Sequence, residues 1–127
     1  MDEYKKILIQ EPNNPRALNN LAYLLIEQKK YDEALIYAKK AVDLAPGNPS
    51  LLDTYGMALF RVNKLSEAVK YFKKAHVIVP ESSQISLHYA ESLAAMNNNV
   101  AAAKILATIS ADEPKWQAEI ARIKAMM

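Results

Sequence analysis

Pro12, Pro46, Pro80 and Pro114 are each 34 residues apart, and Pro15 and Pro49 repeat the same interval, so all six prolines of the 127-residue chain obey one period. Proline lacks a backbone N–H and interrupts regular structure, so a fixed proline interval dictates where elements stop and restart. Ordinary residues follow the same period: Lys5-Lys6, Lys39-Lys40 and Lys73-Lys74; Ala34, Ala68 and Ala102; Tyr37 and Tyr71; Asn14-Pro15 and Asn48-Pro49. Such a chain builds one supersecondary unit several times and stacks the copies.

Each unit reads as two helices. The first carries Leu18, Leu21, Ala22 and Leu25, then Leu52, Tyr55, Gly56 and Leu59, then Ser86, Tyr89, Ala90 and Leu93, spaced i, i+3, i+4, i+7 as on one face of a helix. The second carries Ala34, Ala38 and Ala41, then Ala68, Phe72 and Ala75, then Ala102, Leu106 and Ile109. Small residues facing larger ones allow close helix packing. Asn14 and Asn48 are placed to cap the first helices, with proline in the first helical position. Pro46 and Pro80 stop the second helices, and Asn63 and Asn97 sit where a left-handed residue can end a first helix. Composition agrees: 20 alanines and 14 leucines favour helix, and only 2 glycines leave little for folds rich in positive-φ turns. The expected fold is all-α.

The pattern resembles the tetratricopeptide repeat family. That family has apolar or aromatic residues at repeat positions 4, 7 and 11, a small residue at 8, alanine at 20 and 27, an apolar or aromatic residue at 24 and proline at 32. With position 1 at Pro15, Pro49 and Ser83, the middle repeat matches throughout: Leu52, Tyr55, Gly56, Leu59, Ala68, Phe72, Ala75 and Pro80. The first repeat places Ala38 at the aromatic position. The third departs from the pattern, with Ser86 in place of a large residue and Ile109 in place of a small one. The resemblance implies a right-handed superhelix of antiparallel helix pairs: a half repeat over 1–12, repeats over 15–48, 49–82 and 83–114, and a capping helix over 115–127. In that cap, Trp116, Ile120, Ile123 and Met127 form an apolar stripe. More loosely, LNNLAYLLIEQKKYDEAL followed by LLDTYGMALF is similar to the C-terminal repeats of large bacterial tetratricopeptide lipoproteins linked to exosortase sorting and exopolysaccharide export, which implies an envelope location.

The family usually binds peptides or partner helices in the concave face of the superhelix. At 100° per residue, first-helix positions 2, 5, 6, 9 and 13 lie opposite the packing stripe. These are Arg16, Asn19, Asn20, Tyr23 and Glu27; Ser50, Asp53, Thr54, Met57 and Arg61; then Gln84, Leu87, His88, Glu91 and Ala95. The face combines amides, hydroxyls and both signs of charge with Tyr23, Met57 and Leu87, which suits a protein or peptide partner. The alternative is an ordinary solvated surface, since isolated exposed apolar residues are common. The family's clamp for acidic peptide C-termini is excluded, because its lysine, arginine and asparagine positions hold Asn19, Tyr23, Thr54, Gln84 and His88.

Other chemistries find little support. His88 and Glu91 stand i, i+3 but lack the further ligands that a bundle metal site requires. His76, late in a second helix, suits the helix dipole. No Ser-His-Asp grouping, glycine-rich phosphate loop or usefully spaced carboxylate pair occurs, so neither catalysis nor a cofactor is expected. Zero cysteines exclude thiol chemistry, and 16 basic against 14 acidic residues give only +2, which does not point to nucleic acid. The Lys-Lys pairs fall off the core stripe and read as a solvated convex face, with contact to a polyanion as the lesser reading. The start, MDEYKK, does not read as a signal peptide, and the apolar run Leu21 to Ile26 is too short to span a bilayer. Finally, Tyr4, Ile7, Leu8 and Ile9 make the N-terminal helix strongly apolar. That helix is expected to pair two copies of the chain, or to turn its stripe onto the first full repeat. The competing reading of the whole chain is structural: a segment of a larger repeat array that self-associates through its ends, with no peptide ligand.

Overall fold

The computed structural model describes residues 2–110 and 113–127, which form eight α-helices and no strand. They are α1 (Asp2–Gln10), α2 (Pro15–Glu27), α3 (Tyr31–Leu44), α4 (Pro49–Arg61), α5 (Leu65–Ile78), α6 (Ser83–Ala95), α7 (Asn99–Ala107) and α8 (Pro114–Lys124). Residue 1 of the expected half repeat and residues 111–112 of the expected third repeat lie outside the described residues. From α1 to α7 each helix packs on the next, while α2, α4, α6 and α8 also pack on one another in sequence. The result is two layers, an inner one of even-numbered helices and an outer one of odd-numbered helices.

Local chemistry sets the helix ends. Asn14 Oδ1 accepts from the Ala17 N–H at 3.1 Å, and Asn48 Oδ1 accepts from the Ser50 N–H at 3.0 Å, each followed by a proline that needs no partner for its own nitrogen. Ser82 Oγ performs the same task for α6, accepting from the Ile85 N–H at 3.3 Å. At the other end of the inner helices, Lys29, Asn63 and Asn97 adopt φ of 62°, 63° and 62°. The next residue then donates back to the helix: Lys30 to the Leu25 carbonyl, Lys64 to Leu59 and Asn98 to Leu93, at 2.8 to 2.9 Å. This is the left-handed helix stop expected at Asn63 and Asn97. Lys29 makes it too, 34 residues earlier, without the side-chain amide that makes asparagine tolerant of positive φ.

Both apolar stripes point inward. Leu18, Leu21, Ala22, Leu25, Leu52 and Leu59 are buried on the inner layer, and Ala34, Ala38, Ala41, Ala68, Phe72 and Ala75 on the outer. Repeat positions 8 and 24 are filled by Ala22 and Ala38, Gly56 and Phe72, and Ala90 and Leu106, with the largest ring of the set, Phe72, set against the residue with no side chain. At Gly56 the Phe72 ring lies so close that no Cβ would fit.

The third repeat deviates where its sequence does. α7 ends at Ala107, and the Thr108 hydroxyl donates back to the Ile105 carbonyl at 2.7 Å. Ile109, expected on the helical stripe, therefore lies beyond the helix, although it is still buried. Ser86 is also buried, in the place of a large residue, and its Oγ stands 3.3 Å from His76 Nδ1. That contact gives His76 a role beyond the helix dipole, and its ring packs 5.4 Å from Tyr89. α8 seats Ile123 fully in the core with Trp116 and Ile120 half-buried beside it, whereas Met127 lies past the helix and is exposed. Among the described residues no helix is long and apolar enough to cross a membrane.

Candidate partner-binding groove

Three contiguous clefts run along the inner layer. The widest, about 420 Å³, opens between α4, α6 and α8. A second, about 280 Å³, lies at the N-terminal ends of α2, α4 and α6, and a third, about 270 Å³, at the C-terminal end of α2. Tyr23 and Met57 border all three. The second cleft brings together Asn19, Asn20, Ser50, Asp53, Thr54 and Gln84. The third holds Glu27 and Arg61, and the widest holds Arg61, Leu87, His88 and Glu91. Arg16 is exposed on α2 and Ala95 half-buried on α6, and neither borders any of these three clefts.

The angular expectation places these residues on one face, but it treats that face as uniformly wet. Leu87 is only 4% exposed and packs in the cluster that contains Ile123 and Trp116, because α8 continues the inner layer over α6. Asp53 and Thr54 are buried as well. The Thr54 hydroxyl donates to the Ser50 carbonyl at 3.0 Å within its own helix. Tyr23 at 40% is the exposed aromatic of the groove, and Met57 is half-buried against the core. Partial burial, together with the neighbouring Glu27 carboxylate and a hydrogen bond to it, pushes the Tyr23 phenol up.

Two polar ties organise the floor, and each joins helices through residues far apart in sequence. His88 Nδ1 lies 2.8 Å from Asp53 Oδ1, joining α6 to α4, while the His88 ring rests 5.6 Å from the Phe72 ring. Arg122 on α8 donates from Nη1 and Nη2 to the two Glu91 oxygens at 2.9 and 3.0 Å, and also to Glu119 at 2.9 Å. Two-pronged arginine–carboxylate pairing is strong and directional. The Glu91 hydrogen bonds hold the Arg122 guanidinium protonated, well above the ordinary arginine range. His88 and Glu91, neighbours on one helix, are thus each committed to a different partner. Among the described residues no three His, Asp or Glu side chains converge as a metal-binding group. Sequence reasoning missed Arg122, whose only signal is its place on the polar side of the closing helix. The Asn19 Oδ1 atom, beneath the second cleft, is buried and makes no hydrogen bond among the described residues.

Tetratricopeptide repeat family models match residues 3–36 and 59–127, the latter more than half of the chain. The chain belongs to the tetratricopeptide repeat family, whose members are generally non-enzymatic protein-interaction scaffolds. No curated protein sequence matches it. Among solved structures it is similar to pilF of Pseudomonas aeruginosa (24% identity, 98% of this chain and 60% of that one, TM-score 0.77). It is also similar to MamA from Desulfovibrio magneticus RS-1 (19%, 96% and 63%, TM-score 0.73) and to a tetratricopeptide repeat protein from Parabacteroides merdae (18%, 98% and 51%, TM-score 0.79). The chain spans between 56% and 63% of the length of the first four solved structures that it matches. At these identities the likeness establishes the fold.

Proposed function

We propose that the inner-layer groove holds an extended or helical segment of a partner protein. The observation that carries this reading is the continuity of the three clefts around Tyr23 and Met57. An exposed aromatic with an unionised hydroxyl beside a flexible thioether is a surface that side chains of a bound segment can anchor on. The unpaired Asn19 oxygen adds an acceptor, which a half-turn of the carboxamide would offer to a backbone N–H of that segment. The test is selection of binders from a random peptide library on the immobilised protein, followed by titration of the recovered peptides against Tyr23→Ala. Binding should weaken about tenfold or more, with folding stability nearly unchanged. Recovered peptides indifferent to Tyr23→Ala would overturn the reading. Met57→Ala is the poorer probe, because Met57 also packs on two core clusters.

A second reading, pairing of two copies through α1, has its own observation. Tyr4 and Leu8 turn onto the core, but Ile7 is 38% and Ile9 81% exposed on a helix that packs on α2. Light scattering over a concentration series, with Ile9→Glu as the control, decides it: a concentration-dependent dimer abolished by Ile9→Glu supports this reading, and a monomer throughout removes it.

A further inference from the structure

We propose that the wide cleft at the α8 end of the groove selects partner segments in which an acidic side chain stands beside a large apolar one. This rests on the groove reading above and adds the chemistry of the ligand.

The walls supply the apolar half. Tyr23, Met57, Phe60, Phe72, Leu87 and Trp116 border the cleft, and Trp116 is brought there by the packing of α8 on α6. An aromatic or long aliphatic side chain laid between Tyr23 and Trp116 would cover apolar surface on both sides.

The charges supply the acidic half. The cleft has two carboxylates, Glu91 and Glu119, and both are hydrogen-bonded to Arg122. Its histidine, His88, is held by Asp53. Two cations remain, Arg61 on α4 and Lys115 on α8, and among the described residues neither has an ion-pair partner. Lys115 Nζ lies over the Trp116 ring, 4.6 Å from its centroid, so cation and apolar wall are adjacent. Lys115 also sits in the first turn of α8, where the helix dipole disfavours a positive charge and an incoming carboxylate would offset it. The cleft therefore offers charge-assisted hydrogen bonds to an acid and repulsion to a basic segment, which together give selectivity.

Trp116 is the single tryptophan of the chain, so its fluorescence reports occupancy of this cleft directly. Peptides recovered from an unbiased random library should be enriched in Asp or Glu next to Leu, Phe, Tyr or Trp, and should change Trp116 emission on binding. Arg61→Ala and Lys115→Ala, both at exposed positions, should each weaken those peptides about fivefold or more and flatten the salt dependence of binding. Circular dichroism verifies that both variants retain their helices. Peptides that lack acidic enrichment yet still depend on Tyr23 would overturn this proposal and leave the groove reading intact. Binding of a plain oligoglutamate as tightly as the mixed peptides would overturn it in favour of a simple anion site. Failure to recover any binder would remove both readings.

Discussion

Gly56 faces the ring of Phe72 so closely that a methyl carbon added at Gly56 would lie 2.6 Å from Phe72 Cε1 and 2.7 Å from Cδ1. The glycine is in an ordinary helical conformation, so what it contributes here is the absence of a side chain. Gly56→Ala should cost about 1 to 3 kcal/mol by overpacking, despite alanine's better helix propensity. Combining it with Phe72→Leu should cost less than the two single changes summed. Urea denaturation of the four proteins of this cycle tests it, and plain additivity would show that the contact is not what couples the residues.

Lys29 offers the opposite experiment. Its left-handed backbone serves the same helix stop as Asn63 and Asn97, with a residue type that resists that conformation. Lys29→Gly should stabilise the protein by about 0.5 to 1 kcal/mol, read as a higher melting temperature. A loss of stability would mean that the exposed lysine side chain contributes more than the strain removes.

The tie between Asp53 and His88 joins two inner helices across the groove floor. Asp53→Ala leaves His88 without its partner and should destabilise the fold by about 1 to 3 kcal/mol. In the background of His88→Phe the same change should cost clearly less, because the partner is already gone. Equal costs in both backgrounds, measured by thermal denaturation, would assign the effect to Asp53 alone.

Arg122 fastens α8 to α6 through Glu91. Arg122→Ala should raise amide hydrogen exchange in α8 while leaving exchange in α2 to α5 unchanged, since the ion pair is local and half-exposed. Uniform acceleration through all helices would show that α8 is not a separately opening unit.

The first two repeats were readable because proline, asparagine and the apolar spacing each act within a few residues. The helix-capping bonds of Asn14 and Asn48 span two or three residues, and the left-handed stop at Asn63 closes a bond across five. The third repeat was less readable because its core depends on contacts between units: Ser86 is buried with its Oγ 3.3 Å from His76 Nδ1, and Leu87 is buried in a cluster that α8 completes. The groove shows the same division. Tyr23 and Met57 follow from helical angle alone, whereas the engagement of His88 by Asp53 and of Glu91 by Arg122 joins positions 35 and 31 residues apart. No local spacing encodes those distances. Lys29 was not read from the sequence, since its residue type gives no sign of a left-handed backbone and only the 34-residue interval to Asn63 points to it.

The layering described above has a mechanical consequence. Among the described residues, the main helix contacts run between helices one or two places apart along the chain. Bending is then shared among successive joints, as in a coil spring, and a small rotation at each joint adds to a large change in the width of the inner curve. The partner segment proposed for the groove, if slightly too long or too thick, would then be met by several shallow adjustments spread along the stack.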